Sequence, residues 1–211
     1  MRRLMLIVAV GSLAACKQAV SPQLLAEYQG RSLMTCCNIH YETDEINDAN
    51  YFVGSTIPAG TPVQVQGMGS DSVTFTANGK KLSLHHKYGT GQESLQQYVN
   101  KMLVADDPKT RLASFPRSAQ QAIHEGRVEK GMTKEQVIMS LGYPPTHRTA
   151  STSDNEWTYW YNRWVPTYKV QFDNQGVVSN VMGRPAPTQD KPIEPDAAPV
   201  PKAPARGKKR R

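Results

Sequence analysis

The chain of 211 residues contains few cysteines, few aromatic residues and only one long apolar run. That run, residues 4–15, is shorter than the about 20 residues that a membrane-spanning helix needs, which excludes a protein with several transmembrane helices. Positive charge is scarce in the centre: of a net charge of +7, residues 1–16 carry +2 and residues 184–211 carry +5. Because phosphate binding requires positive charge on the folded region, nucleic acid is excluded as a partner.

The first sixteen residues have the pattern of an export signal. Arg2 and Arg3 precede the apolar run, and Leu13-Ala14-Ala15 places small residues before Cys16. This arrangement resembles the signal of bacterial lipoproteins, in which residues 1–15 are removed and the cysteine carries acyl chains such as palmitate. Several acyl chains on one cysteine anchor a protein firmly to a membrane, since each buried methylene contributes about 0.8 kcal/mol. The alternative is an ordinary secretory signal with a coincidental cysteine.

Lys17 occupies the position after this cysteine. By resemblance to enterobacterial lipoproteins, the absence of aspartate there favours the outer membrane over the inner one. We therefore expect a chain that is lipid-anchored on the periplasmic side of the outer membrane. The polar residues 16–32 are predicted to be a tether.

Cys36 and Cys37 are adjacent, and they are the cysteines that remain after acylation. The periplasm is oxidising, so a disulfide between them is one possibility. Two free thiols on opposite faces of a strand and bonds to a second copy are the alternatives. Metal binding would need two more ligands at suitable spacing, and none is visible. A structural or incidental role is the expectation.

Residues 33–112 predict a small antiparallel β meander covered by one helix. Apolar and polar residues alternate at Val63/Val65, Val73/Phe75 and Leu82/Leu84. Asn78-Gly79 between two such runs is a strong hairpin signal. Apolar residues recur at helical spacing over Leu95–Leu103, after a predicted capping box at Thr90–Glu93, and Asp107-Pro108 is expected to end this segment.

Residues 117–183 predict two helices followed by three strands. The first helix is expected within 118–128. The second begins with a capping box, Thr133 with Gln136, and ends at Gly142. The strands are predicted at Glu156–Arg163, Thr167–Asp173 and Gly176–Met182.

Several short motifs follow one another in this region in a characteristic order. They are Gly131-Met132-Thr133, Val137, Leu141-Gly142-x-Pro144, Trp157-x-Tyr159, Val170-x-Phe172 and Gly176. Their order and spacing resemble the BamE family, also called SmpA/OmlA. The resemblance implies an ααβββ domain similar to β-lactamase inhibitor repeats, within an α+β protein of two small domains. It also implies an outer-membrane lipoprotein that works with other subunits of the barrel-assembly machinery and binds anionic phospholipid.

The aromatic cluster in the first of these strands is a candidate contact surface. Alternation places Trp157 and Tyr159 on the face that covers the helices, and Trp160 on the other face. Trp160, with Arg163 and Trp164 near the strand end, is the candidate partner contact, since these residue types are enriched at interface hot spots and suit membrane interfaces. Packing of Trp160 against the N-terminal domain is the alternative.

Residues 184–211 contain seven prolines and end in a basic cluster. With so few apolar side chains this tail is predicted to be disordered and extended. Its positive charge would attract anionic peptidoglycan or lipid headgroups. A solvated tail with no partner is the alternative.

Catalytic motifs are not evident. The histidines show no metal-ligand spacing: His40, His85, His86, His124 and His147. There is no Gly-x-Ser-x-Gly motif or phosphate loop. We expect a protein without catalytic residues, cofactor or metal, acting as a binding module in β-barrel protein assembly or envelope integrity. The alternatives are a periplasmic inhibitor or sequestering protein of an enzyme, and a cell-wall tether that works through the tail.

Overall fold

The computed structural model describes residues 25–48, 54–86, 93–161 and 168–183. They form the mixed α+β architecture that the sequence predicts. The strands are β1 (Leu33–Thr35), β2 (Ile39–Tyr41), β3 (Glu45–Asn47), β4 (Ser55–Ile57), β5 (Pro62–Met68), β6 (Ser72–Ala77), β7 (Lys80–His85), β8 (Leu103–Val104), β9 (Glu156–Tyr159), β10 (Tyr168–Phe172) and β11 (Val178–Gly183). The helices are α1 (Leu95–Met102), α2 (Pro108–Ala113), α3 (Arg117–His124) and α4 (Lys134–Leu141).

The N-terminal part is built on a six-stranded sheet in the order β3-β7-β6-β5-β1-β8. The predicted hairpin joins β6 to β7, and both Asn78 and Gly79 have positive φ, as a type I′ turn requires. The sheet differs from a purely antiparallel meander because β3 pairs with β7 in parallel, and β2 and β4 form a separate ribbon. Strands β2, β3 and β4 have only three residues each, so their alternation of apolar and polar residues is too short to predict which strands they pair with.

Helix α1 covers this sheet with the residues that its spacing predicts: Leu95, Tyr98, Val99, Met102 and the following Leu103 are buried. Its capping box is formed by Ser94 and Gln97. Thr90, at which the sequence predicts this box to begin, lies outside the described residues. Asp107-Pro108 begins a further helix, α2, in which Asp107 is the N-cap and Pro108 occupies the first turn. Proline is well suited to that position because its missing N–H has no partner there in any case.

The segment predicted as a tether packs on the sheet domain from Leu25 onward. Tyr28 is only 2% exposed, and its hydroxyl donates to Asn100 Oδ1 of α1 at 2.8 Å. The side chain of Glu27 accepts a hydrogen bond from Gln96 at 2.6 Å. Tyr28 is a single aromatic residue in a polar stretch, so the sequence alone did not indicate that this segment packs on the sheet. Residues 16–24 of the predicted tether lie outside the described residues.

The C-terminal part has the predicted ααβββ order. Thr133 and Gln136 form the expected capping box at the start of α4, and Gly142 ends the helix with φ +80°. The antiparallel sheet β11-β10-β9 places its aromatic side against α3 and α4. The buried residues of this second core include Ala122, Ile123, Val137, Leu141, Trp157, Tyr159 and Val170.

His40 is a buried histidine in the ribbon of β2 and β4. Its Nδ1 lies 3.2 Å from Thr56 Oγ1 on the neighbouring strand. Burial lowers the pKa of His40 to about 4, because the charged imidazolium is poorly solvated inside the protein.

This lowered pKa predicts acid sensitivity. The unfolded chain binds a proton below its ordinary pKa of 6.5, whereas folded His40 resists it down to about 4. The neutral His40 therefore does not reduce the free energy of unfolding above pH 6.5. As the pH drops from 6.5 to 4, the unfolded chain takes up the proton and the free energy of unfolding falls by about 3 kcal/mol. Urea unfolding of the His40→Gln variant should show a correspondingly weaker pH dependence between 6.5 and 4. The matched control, His124→Gln at an exposed histidine, should keep the pH dependence of the original chain. The same pH dependence in both variants would contradict the lowered pKa of His40.

Candidate partner-binding site

A cleft of about 450 Å³ lies between the N-terminal and C-terminal parts of the described structure. One wall comes from the N-terminal part: Cys36, Val104, Asp106, Asp107, Pro108 and Arg111. The other comes from the C-terminal part: Lys134, Glu135, Ile138, Met139, Tyr143, Thr152 and Trp157. The cleft thus combines an apolar interior with charged groups, which is the usual composition of a binding site.

The two charged residues at the start of α4 are held in place by neighbours. Glu135 forms a bidentate ion pair with Arg111 of α2, with distances of 2.6 and 2.7 Å. Lys134 Nζ donates to the carbonyls of Thr152 and Ser153 and lies 5.6 Å from the centre of the Trp157 ring. The cation therefore stays over an aromatic face, a favourable arrangement.

Asn38 joins the two parts through buried hydrogen bonds. Its side-chain Nδ2 donates to the carbonyls of Ile123 at 2.7 Å and Ser140 at 3.1 Å, and its Oδ1 accepts from Ala59 N–H at 3.1 Å. The backbone N–H of Asn38 also donates to the carbonyl of Met139 at 3.0 Å. Asn38 is 4% exposed, so these bonds form away from water. No local pattern in the sequence marks this residue as functional.

A second contact between the parts involves Tyr143, in the loop after α4. Its ring lies 5.4 Å from Lys101 Nζ of α1, and Lys101 in turn forms an ion pair with Glu93 at 2.6 Å. Burial raises the pKa of the Tyr143 hydroxyl, and the nearby Glu93 adds to the effect. The neutral phenol is therefore the favoured form at this junction.

Cys36 and Cys37 are joined by a disulfide bond in the structure. Cys37 is fully buried in the first core, whereas Cys36 is half-buried and lines the cleft. The backbone N–H of Cys36 donates to the carbonyl of Met102, which connects the pair to the end of α1.

Trp160 is half-buried and is engaged on the C-terminal part itself. Its indole N–H donates to His147 Nε2 at 3.2 Å, and the Arg148 guanidinium lies 4.9 Å from its ring centre. Burial lowers the pKa of His147, and the positive charge of Arg148 lowers it further. The neutral imidazole keeps Nε2 available as an acceptor. The other two residues of the predicted contact, Arg163 and Trp164, lie outside the described residues.

The histidines do not gather into a metal site within the residues that the structure describes. His86 Nδ1 lies 3.1 Å from the carboxylate of Asp48, while His86 Nε2 lies 2.6 Å from the carbonyl oxygen of Glu93. The His86 ring therefore lies between two other segments of the N-terminal part, those of Asp48 and Glu93. None of the described helices is long and apolar enough to cross a membrane.

Residues 125–182 match the family model of the outer membrane protein assembly factor BamE domain. These residues form a BamE-like domain. The match agrees with the region that the sequence motifs predict, and it contains α4, β9, β10 and all of β11 except its last residue. No curated protein and no solved structure is significantly similar to the chain.

The motif residues of the BamE-like domain serve its architecture. Gly131, Gly142 and Gly176 all have positive φ, a conformation that glycine adopts without steric cost. Trp157 and Tyr159 are completely buried. Helix α3 precedes the matched residues, yet Ala122 and Ile123 pack in the same core as the BamE-like domain.

Proposed function

We propose that the chain is a lipoprotein anchored to the periplasmic side of the outer membrane through acylated Cys16. In this proposal its BamE-like domain is a non-catalytic binding module in β-barrel protein assembly and envelope integrity. The match of residues 125–182 to the assembly-factor domain is the observation that carries the proposal. The signal pattern that ends at Cys16 supports it independently, because barrel assembly takes place at the membrane to which such a lipid anchor leads.

The proposed organisation follows the composition of the chain and the two buried cores. Residues 1–15 are the signal and residues 16–32 the tether, whose Tyr28 packs on the β domain. Residues 33–112 form the β domain, and residues 117–183 include the BamE-like domain with α3. The basic tail, residues 184–211, is the proposed contact for anionic lipid or peptidoglycan, through attraction that salt weakens.

The surface of the cleft favours binding over catalysis. Arg111 and Glu135 neutralise each other, and Lys134 is engaged by two backbone carbonyls. Asp107 caps α2 by accepting from Lys109 N–H. Charged groups that are held in this way shape a contact surface, whereas a general acid or base must reach a substrate proton.

The proposed partners are subunits of the barrel-assembly machinery. Trp160, Arg163 and Trp164 are the proposed contact residues, and Arg148 joins them through its position over the Trp160 ring. Tryptophan and arginine supply large contact areas at the centres of interfaces.

Loss of the anchoring cysteine is expected to release the protein. Full-length chain with Cys16 intact should sediment with outer-membrane vesicles, whereas an exported Cys16→Ala variant should remain in the soluble periplasmic fraction. The reason is that the acyl chains provide the anchor. The Cys36→Ser/Cys37→Ser double variant is the matched control and should still sediment. A soluble chain with Cys16 intact would contradict the proposed anchor.

A further inference from the structure

The two cysteines of the Cys36–Cys37 bond differ in their burial. Cys36 lines the cleft, whereas Cys37 is 0% exposed within the first core. A reagent that enters the cleft therefore meets Cys36 before Cys37. Exposure and access are the properties that determine which cysteine takes part in exchange.

The Cys36–Cys37 bond stabilises the folded chain very little through chain entropy. A disulfide stabilises mainly by restricting the unfolded chain, and the effect grows with the length of the closed loop. Here the bonded residues are neighbours in the sequence, so almost no chain freedom is removed. A purely stabilising role does not account for placing one of the two cysteines at a cleft wall.

The bond also lies next to the residue that joins the two parts of the protein. Asn38 follows Cys37 directly, and its side chain reaches the carbonyls of Ile123 and Ser140 in the C-terminal part. Cys36 is connected on its other side to Met102 at the end of α1. A change of covalent structure at Cys36–Cys37 therefore acts on the backbone between these two attachment points.

We propose that Cys36–Cys37 is a thiol–disulfide exchange site that reacts with a dithiol through the cleft. A thiolate of the dithiol attacks Cys36 Sγ; the S–S bond breaks, and the electron pair leaves on Cys37 Sγ, which takes up a proton. The second thiolate of the dithiol attacks the mixed disulfide and releases Cys36, which is also protonated. The pair has then gained two electrons and two protons, and the dithiol has become a disulfide.

The first test measures access in the folded protein. Purified full-length chain is treated with dithiothreitol in native buffer, quenched with iodoacetamide at intervals and analysed by tandem mass spectrometry; cleavage after Lys17 and Arg31 separates Cys16 from the pair. We expect reduction without loss of the circular dichroism signal, and alkylation of Cys36 on the order of tenfold faster than of Cys37, because access sets reactivity. Reduction only at the rate of global unfolding, equal labelling of both residues, or a pair isolated as free thiols would overturn the proposal.

The second test asks whether the cleft is the route. An Ile138→Trp variant places a larger side chain at the cleft wall and should slow reduction by about tenfold by blocking access. Val181→Trp is the matched control, since Val181 is also partly buried but does not line the cleft, and it should react at the original rate. Unchanged reduction of a folded Ile138→Trp variant would contradict entry through the cleft.

A parallel arm distinguishes the source of the dithiol. Reduced thioredoxin, kept reduced by its reductase, replaces dithiothreitol as the probe. Reduction by both reagents supports a protein dithiol that inserts into the cleft, and reduction by dithiothreitol only supports a small dithiol. Failure of both reagents on the folded chain overturns the exchange site and leaves the proposed binding function unaffected.

Discussion

Replacement of Asn38 by alanine is expected to lower the free energy of unfolding by about 3 kcal/mol, since the variant loses three buried hydrogen bonds and leaves two of their partners unsatisfied. The groups left without a partner are the carbonyl of Ser140 and the N–H of Ala59, whereas the carbonyl of Ile123 still accepts from Gly126 N–H at 3.0 Å. Each buried polar group without a partner costs more than the bond itself contributed, because water cannot replace the lost contact.

Urea unfolding followed by circular dichroism tests this expectation. Asn180→Ala is the matched control: Asn180 donates to Gln171 Oε1 at 3.2 Å on the partly exposed side of the C-terminal sheet, where water can substitute. Its loss should cost less than about 0.5 kcal/mol. An Asn38→Ala variant as stable as Asn180→Ala would show that Asn38 does not hold the two parts together.

Replacement of Trp157 by alanine is expected to cost about 4 kcal/mol, because it removes the largest fully buried side chain of the BamE-like domain and leaves a cavity. The ring packs edge-on against Phe172 with 4.6 Å between centroids. It also supports the Lys134 ammonium, so the loss extends to the cleft wall.

Trp157→Phe separates packing from polarity. Trp157 Nε1 is buried and finds no hydrogen-bond partner among the described residues, so phenylalanine removes an unsatisfied group while keeping an aromatic ring. We expect a loss well below that of Trp157→Ala. The matched control, Trp160→Ala, should cost less than Trp157→Ala since Trp160 is half-buried, although it loses its bond to His147. A Trp160→Ala variant less stable than Trp157→Ala would contradict this assignment of the core.

Local signals in the sequence were sufficient for the secondary structure of the C-terminal part. The capping box of Thr133 and Gln136 and the glycine at position 142 each act within a few residues, and the structure has both. The Asn78-Gly79 turn is equally local, because the turn itself imposes the backbone conformation. The BamE-like resemblance rested on such elements, and the family match confirms it.

Long-range features left no comparable signal. Asn38 looks like an ordinary polar residue in a short strand region, and the carbonyls it bonds lie 85 and 102 residues further along the chain. The parallel pairing of β3 with β7 and the anchoring of Tyr28 on α1 likewise depend on partners that are remote in sequence. The cleft results from these same contacts, so its lining residues were not predictable as a group.

The most direct measurement of the proposed function is a crosslinked affinity purification from intact envelopes, with a tag placed within residues 184–211 and an exported Cys16→Ala variant as the control. The BamE-like domain and the lipid anchor together predict recovery of barrel-assembly subunits with the original chain and their loss with the control. Recovery of a soluble enzyme or of cell wall without those subunits would contradict a role in barrel assembly, and would mean that residues 125–182 use this fold for another partner.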